Sequence, residues 1–279
     1  MKSRTISTTL SLAALAALVL TGCGASEDGT PEETGDTAAA GEVTLVKEGT
    51  LSVCTHLSYK PFQFKEADGT VVGFDVDLMD LVAEELGVTQ EIVDIDFAQI
   101  TSGAVFAAGR CDAGAAATTI TEERRNAILF SDAYFTATQA LIVKSGSGIT
   151  GLSDLSGGLG VQSDTTGQIY AEKQKADNGY DFDIVIFDDL VTQLNGLKAD
   201  RVAGAINDNG VVLDFAKENP DTEVVTEFDT GEEYGFMAQK DNANATALME
   251  TINEVLAAAK EDGRYNEIYK KWFGTDAPS

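Results

Sequence analysis

Apolar and polar positions alternate along this chain with two periods, and the alternation predicts a regular succession of strands and helices. Residues 51–54 form a short, mostly apolar run typical of a buried strand, and residues 77–86 carry apolar side chains at helical spacing. Gly87 follows where a helix commonly ends. A strand, a helix and a strand are predicted next at 91–97, 102–108 and 113–117. Such alternation favours βαβ units around a parallel sheet.

The same alternation starts again after an apolar run at 140–143, so the chain follows one plan twice. Short strands are predicted at 160–161, 183–187, 202–206 and 223–225. Helices are predicted from about 168, at 190–197 and at 211–217, and two more close the chain around 248–256 and 265–272. The pattern predicts two α/β lobes, although no sequence repeat indicates a duplication.

The charge of the chain excludes one class of partner. The 279 residues carry a formal net charge of −27, without a basic stripe that could contact a phosphate backbone. We therefore expect no nucleic acid partner. A hydrophobic content of 43% suffices for a sizeable core, and the acidity favours solubility outside the cell.

The N-terminal residues have the pattern of an export signal. Lys2 and Arg4 precede an apolar run at 10–20, which is too short for a membrane span of about 20 apolar residues. The run ends in Leu-Thr-Gly-Cys at 20–23, which resembles the bacterial lipoprotein box. That resemblance implies that Cys23 becomes the first mature residue and carries a lipid.

The segment after the lipoprotein box suits a tether. Residues 24–42 lack large apolar side chains and contain six acids and no base, a composition typical of disorder. We therefore predict a signal peptide at 1–22 and a disordered, lipid-anchored linker at 23–43. The protein is expected to be exported and anchored to the cell membrane, facing the outside of the cytoplasmic membrane.

Two further cysteines, Cys54 and Cys111, adjoin predicted parallel strands of the first half. If those strands are neighbours, the two Cα atoms come within the separation that a disulfide bond requires. In an exported protein such a pair is more often bridged than free. We predict a disulfide between them.

An unusual cation lies near the start of a predicted helix. Thr121 suits the N-cap and Glu122 and Glu123 the first turn, whereas Arg124 faces the positive end of the helix dipole. One interpretation is that Glu122, Glu123 or another acid neutralises Arg124. The other is an anion site, because a strand end, a helix N-terminus and a guanidinium together suit a carboxylate. The spacing alone leaves both interpretations open.

Several stretches, in order, resemble one known family. Residues 73–78 read Gly-Phe-Asp-Val-Asp-Leu, and 119–124 read Thr-Ile-Thr-Glu-Glu-Arg. Further matches lie at 59–62, 130–134, 160–166 and 262–272. Together they resemble family 3 of the bacterial extracellular solute-binding proteins, the polar amino-acid receptors of ABC importers. The likeness covers the chain from about residue 44 to the C-terminus.

The resemblance implies a type II periplasmic-binding-protein fold, in which two α/β lobes, joined by two crossover hinge strands, close around a ligand. The hinges are expected near 135–139 and 230–235. Lobe 1 then comprises 44–136 and 236–279, and lobe 2 comprises 137–235. The expected partners are a small amino acid and ABC permease subunits, and we expect a monomer without a cofactor.

By the same resemblance, particular residues are expected to bind the ligand. Arg124 holds its α-carboxylate bidentately, a geometry that favours Arg over Lys. Thr119 and the main chain of Ala117 contact the carboxylate and the ammonium. Thr165 and Thr166, from the second lobe, donate to the same carboxylate.

The remaining expected contacts have local alternatives. Asp208 takes the α-ammonium as a charge-assisted pair, although its position also suits the N-cap of a helix that begins at Asn209. Tyr59 and Phe97 are expected to be platforms for the ligand side chain, and core packing is the alternative for each.

Two positions depart from the family pattern. His56 stands where receptors for basic amino acids carry an Asp, which removes the counter-ion for a lysine or arginine head group. We therefore expect a neutral polar or acidic ligand, with His56 among the binding residues. Asp164 stands where Gly is usual beside the threonines, and a buried Asp there would repel an acidic ligand.

The alternative function is a two-lobed, dehydratase-like enzyme that acts on a small carboxylic acid. The chain has one histidine and no cysteine expected to be free, which leaves few groups for nucleophilic catalysis. The acid pairs at 84–85 and 232–233 are predicted to be solvated, on a helix face and in a loop. Asp75, Asp77 and Asp80 are too scattered for a metal site. We expect a receptor with no catalytic residue and no bound metal.

Overall fold

The computed structural model describes residues 43–278, whose backbone alternates between strands and helices as predicted. The strands are β1 (Thr50–Thr55), β2 (Phe64–Lys65), β3 (Val71–Val72), β4 (Thr89–Asp94), β5 (Ala113–Gly114), β6 (Ile128–Phe130), β7 (Phe135–Lys144), β8 (Gly157–Gln162), β9 (Phe182–Phe187), β10 (Gly204–Asp208), β11 (Thr222–Tyr234) and β12 (Met237–Gln239). The predicted signal peptide, Cys23 and nearly all of the predicted linker lie outside the described residues.

The α-helices of this part of the chain follow most of the apolar repeats. They are α1 (Phe74–Glu85), α2 (Phe97–Thr101), α3 (Ala104–Ala107), α4 (Glu122–Ala127), α5 (Thr166–Asn178), α6 (Leu190–Lys198), α7 (Asn209–Glu218), α8 (Ala243–Asp262) and α9 (Arg264–Phe273). Within residues 43–278, every helix is too short or too polar to span a bilayer.

The first sheet has the strand order β4-β1-β5-β12-β6. β1 runs parallel to β4 and β5, and α1 connects β1 to β4 in the chain, which is the predicted βαβ arrangement. β12 pairs antiparallel with β5 and β6, so the late part of the chain returns to complete this sheet. α1 packs against α8 and α9.

The second sheet has the order β11-β7-β10-β8-β9 and comes from the middle of the chain. β8 is parallel to β9 and β10, whereas β7 is antiparallel to β10 and β11. Helices α5 and α6 pack against β8 and β10. Two sheets of this composition agree with the expected two-lobed α/β fold.

The two long strands β7 and β11 carry the chain between the sheets. They pair antiparallel, beginning with Phe135 opposite Tyr234. The predicted hinges at 135–139 and 230–235 lie at this end of the pair, next to the first sheet. The two crossover strands of the predicted fold are therefore present, while the residue boundaries of the lobes stay a prediction.

Helix α1 begins earlier than predicted because its N-terminus is tied to a neighbouring segment. The amides of Phe74 and Asp75 donate to the carbonyl oxygens of Pro61 and Phe62. Gly73 permits this approach: its φ is 146°, and a Cβ there would lie 1.9 Å from the carbonyl oxygen of Phe62.

Strand β5 ends at Gly114, although the apolar run predicted a strand as far as 117. Ala117 has a φ of 45°, a left-handed conformation that cannot continue a strand. Its amide instead donates to Oδ2 of Asp75 at 2.8 Å. This bend directs the residues after β5 into the space between the two sheets.

The predicted disulfide is present in the structure. Cys54 lies in β1 and Cys111 lies just before β5, and these strands are parallel neighbours. The sulfur atoms of Cys54 and Cys111 are bonded, with Cα atoms 5.7 Å apart. The bond therefore joins strand β1 to the segment that leads into β5.

An aromatic cluster supports the ends of the crossover strands. The ring of Phe62 lies 5.0 Å from that of Phe135 and 5.5 Å from that of Tyr234, centre to centre. All of these rings are buried. Edge-to-face contacts of this kind give a rigid base beneath the place where the two sheets meet.

Candidate functional site

One pocket lies between the two sheets, at the carboxyl ends of their strands, where ligands bind in open α/β sheets. The empty space among its lining residues, including the solvent at its mouth, is about 350 Å³. The structure brings all nine predicted ligand-binding residues to this pocket: His56, Tyr59, Phe97, Ala117, Thr119, Arg124, Thr165, Thr166 and Asp208. Their contacts with a ligand stay a prediction.

Arg124 reaches the pocket from the first turn of α4. Thr121 is the N-cap, as predicted, and its hydroxyl accepts a hydrogen bond from the Arg124 amide at 3.1 Å. The guanidinium donates to the carbonyl oxygens of Thr119 and Asp164, both at 2.9 Å. Among the described residues its hydrogen bonds go to these neutral oxygens and not to the neighbouring glutamates, so the cation can still pair with an anion.

Asp208 lies at the end of β10, on the wall that the second sheet contributes. Its carboxylate accepts hydrogen bonds from the hydroxyl of Tyr59 at 2.8 Å, the hydroxyl of Tyr234 and the amide of Gln139. Asp208 also occupies the N-cap position of α7, as the alternative predicted, but its side chain makes no cap hydrogen bond. Burial, followed by the charge of Glu232, raises the pKa of Asp208 to about 6, and the hydrogen bonds oppose that shift.

Glu232 is a buried acid of this site that the sequence pattern did not predict. It lies in β11, and only 6% of its surface is exposed. Its Oε2 accepts from the hydroxyls of Thr119 at 2.7 Å and Thr166 at 2.8 Å. Its Oε1 accepts from the amide of Gln139 at 3.0 Å and the hydroxyl of Thr230 at 2.9 Å. One carboxylate therefore joins residues of both sheets and of both crossover strands.

The prediction of a solvated loop at 232–233 is wrong because β11 extends to Tyr234. Side chains at this end of the strand alternate, with Glu232 and Tyr234 buried and Glu233 exposed. Counting back by two from the aromatic Tyr234 is the signal that would have placed Glu232 on the inner face.

We call Arg124, Asp208 and Glu232 the charged end of the pocket. Burial lowers the pKa of Arg124, and the charges of Asp208 and Glu232 oppose that shift. When both acids are ionised, the charged end holds one more negative than positive charge. An added cationic group is therefore favoured there, and an added anion depends on Arg124 alone.

The two threonine hydroxyls of the second sheet are already used within the protein. Thr165 caps α5 by accepting from the amide of Gln168 at 3.2 Å, and it donates to the carbonyl oxygen of Gln162 at 2.8 Å. The hydroxyl of Thr166 donates to Glu232. In this structure a carboxylate ligand would have to displace these bonds or use main-chain amides.

The structure also shows whether two other acids, Asp164 and Asp75, are exposed or buried. Asp164 is exposed, and its carbonyl group faces Arg124, so its carboxylate is not a buried repulsive charge. Asp75 is fully buried behind the pocket and accepts from the amide of Ala117 and the hydroxyl of Tyr134, both at 2.8 Å. Burial raises the pKa of Asp75 to about 7.

We call His56, Gln63 and Phe97 the side-chain end of the pocket. Nδ1 of His56 lies 3.0 Å from the carbonyl oxygen of Ile95, and Nε2 of Gln63 donates to the carbonyl oxygen of His56 at 3.4 Å. Nε2 of His56 and Oε1 of Gln63 are buried and lack a hydrogen-bond partner among the described residues. Gln63 was not predicted from the sequence, because it lies just after a turn, at an isolated bridge to Tyr59, in a stretch without regular periodicity.

The sequence profile of the bacterial extracellular solute-binding proteins, family 3, matches residues 51–275. The chain belongs to this family. Its membership confirms the resemblance that the motifs indicated and favours a binding protein over the dehydratase-like alternative.

Two family 3 relatives come from Bacillus subtilis (strain 168). The ABC transporter glutamine-binding protein GlnH is 32% identical over 216 residues, which cover 75% of this chain and 76% of GlnH. The arginine-binding extracellular protein ArtP is 30% identical over 268 residues, 95% of this chain and 96% of ArtP.

Among solved structures, an ancestral arginine-binding protein bound to arginine is similar, with a TM-score of 0.74 and 40% identity. The matched region covers 81% of this chain and 98% of the ancestral protein's chain. This neighbour confirms the two-lobed fold of family 3.

Proposed function

We propose that this chain is an extracytoplasmic receptor for a polar α-amino acid, which it delivers to the permease of an ABC importer. The observation that carries this proposal is the charged end of the pocket. Arg124 approaches from the first sheet and Asp208 from the second, and each needs a partner of opposite charge. A zwitterionic amino acid satisfies both at once, whereas a singly charged ligand leaves one of them unpaired.

The same contacts explain how ligand binding is coupled to closure. A ligand that bridges Arg124 and Asp208 binds the closed form more tightly than the open one, and this difference in affinity shifts the equilibrium. Lobe 1 (44–136 and 236–279) then moves relative to lobe 2 (137–235) about β7 and β11. The closed, liganded receptor is the form that docks on the permease.

The N-terminal pattern supports the proposed location. Cleavage after residue 22 and lipidation of Cys23 would anchor a monomeric receptor to the outside of the cytoplasmic membrane. The acidic linker at 23–43 would keep the binding domain clear of the lipid surface.

Isothermal titration of the mature protein with the twenty common amino acids tests the proposal. We expect tight binding of at least one of them and a loss of about 100-fold or more when its α-amino group is acetylated, since Asp208 then loses its charged partner. Tight binding of a neutral sugar, or unchanged affinity for the acetylated amino acid, would contradict the proposal.

A further inference from the structure

The side-chain end of the pocket holds two buried polar atoms without a hydrogen-bond partner in the described chain, Nε2 of His56 and Oε1 of Gln63. Gln63 is only 1% exposed, and both residues line the pocket. Buried polar atoms are nearly always hydrogen-bonded, so such a pair in a binding pocket indicates groups that a ligand satisfies.

The chemical role of each atom follows from its neighbours. A backbone carbonyl can only accept, so the Gln63 nitrogen faces the carbonyl of His56 and its oxygen faces the pocket. By the same reasoning, the nitrogen of neutral His56 that faces the carbonyl of Ile95 carries the hydrogen. Its Nε2 then has a free lone pair. Both unpartnered atoms are therefore acceptors, and they need a donor.

The charges of the pocket favour the same kind of ligand. Asp208 and Glu232 already oppose the single cation Arg124, which is committed to the α-carboxylate in the proposed binding mode. A second carboxylate, at the end of a ligand side chain, would meet two acceptors and, among the described residues that line the pocket, no unpaired lysine or arginine.

We propose that His56 and Gln63 determine specificity by selecting an amino acid whose side chain ends in a hydrogen-bond donor over one that ends in a carboxylate. A primary amide and a guanidinium both fit, since each carries more than one N–H group and can donate to both acceptors. The inference rests on the proposed receptor function. It retains the neutral polar ligands expected from the sequence and excludes the acidic ligands. It also adds ligands whose side chain ends in a guanidinium.

The test compares four amino acids by isothermal titration of the mature protein. Glutamine and arginine end in donors, glutamate replaces the amide of glutamine by a carboxylate, and norleucine has no polar end. We expect the tighter of glutamine and arginine to bind about 100-fold or more tightly than glutamate and norleucine, since unpaired buried groups reject the wrong analogue.

Two variants locate the effect. Gln63→Met keeps the length of the side chain without its amide, and His56→Asn keeps a donor for the carbonyl of Ile95 while removing Nε2. Each should lower the preference for the donor-ended amino acid over norleucine by about 10-fold, with norleucine affinity nearly unchanged. Gln90→Met is the matched control, because Gln90 also has a buried, unpartnered Oε1 but lies outside the pocket.

The outcomes separate this inference from the receptor function. If none of the common amino acids binds the wild-type protein, the proposed function fails. If glutamate binds as tightly as glutamine and arginine, or if Gln63→Met and His56→Asn both leave the preference unchanged, the receptor function stands and the inference is overturned. Loss of preference in Gln90→Met as well would also overturn it, since the effect would then be general instability.

Discussion

The charged end and the side-chain end of the pocket differ in how far the protein satisfies its own polar groups. At the charged end, Asp208 and Glu232 accept hydrogen bonds from tyrosines, threonines and Gln139. At the side-chain end, His56 and Gln63 each leave one buried atom without a partner in the described chain.

The difference follows from the cost of burial. A buried charge without partners costs far more than a buried neutral acceptor, so the charged groups have to be held by the protein even before a ligand arrives. A neutral acceptor can stay without a donor in the unliganded protein at a moderate cost in free energy. The charged end therefore suits the groups that every α-amino acid shares, and the side-chain end suits the group that distinguishes one amino acid from another.

Removing the cation should have the largest effect. Arg124→Ala leaves Asp208 and Glu232 unopposed and removes the partner of the ligand carboxylate. We expect a loss of about 4 kcal/mol in binding free energy, roughly 1,000-fold, by isothermal titration with glutamine and arginine. The control is Arg125→Ala, an exposed neighbour whose guanidinium lies near the ring of Phe130. Retained affinity in Arg124→Ala would mean that the charged end does not bind the ligand.

Neutralising Asp208 should have the next largest effect. Asp208→Asn keeps an acceptor for the tyrosines but loses the charge that pairs with the ammonium, so we expect a loss of about 2 kcal/mol in binding free energy. Because burial and Glu232 raise the pKa of Asp208 to about 6, wild-type affinity should fall as the pH drops below that value.

Binding titrations between pH 5 and 8 measure both the loss of affinity in Asp208→Asn and the pH dependence of affinity. The affinity of Asp208→Asn should change less with pH than that of wild type. Asp214→Asn, on α7 and paired with Lys60, is the control. An equal pH dependence in wild type and Asp208→Asn would assign the titration to another group.

Glu232→Gln should change stability. Its carboxylate accepts from Thr119, Thr166, Gln139 and Thr230, and an amide there would turn a donor towards donors. We expect unfolding free energy to fall by about 1–3 kcal/mol in urea denaturation. Glu233→Gln, at the exposed neighbouring residue, is the matched control, and its unfolding free energy should stay near that of wild type. Equal stability of the two variants would show that the Glu232 network contributes little.

The smallest effect is expected behind the pocket, at Asp75. Its pKa is about 7 in the folded protein against an ordinary 3.8, so folding favours the protonated form. The stability from this group is fully present below pH 3.8 and is lost as the pH rises through about 7. We expect wild type to lose about 1 kcal/mol more than Asp75→Asn between pH 6 and 8.

Urea denaturation at the two pH values measures that difference. Glu84→Gln, on the exposed face of the same helix, should lose as much stability as wild type. If Asp75→Asn also loses as much, the buried carboxyl is not the source of the pH dependence.

Parts of the fold and site could be predicted because their signals are local. The N-cap at Thr121 and the helix that carries Arg124 follow from spacing over a few residues, as does the strand predicted at 202–206, which in the structure spans Gly204–Asp208. The disulfide followed from two cysteines beside neighbouring parallel strands. The left-handed turn at Ala117 was not predicted, because its cause is a hydrogen bond to Asp75 from a distant helix.

The sequence by itself determined the order of strands and helices, the membership of family 3 and the positions of Arg124 and Asp208, since each depends on periodicity or on a contiguous motif. Only the tertiary structure decided that Glu232 is a buried partner of Thr119 and Thr166, which lie 113 and 66 residues away in the chain. It also placed the free acceptors of His56 and Gln63 in the pocket. Both features depend on which distant segments fold against each other, and burial of a polar atom has no local signature.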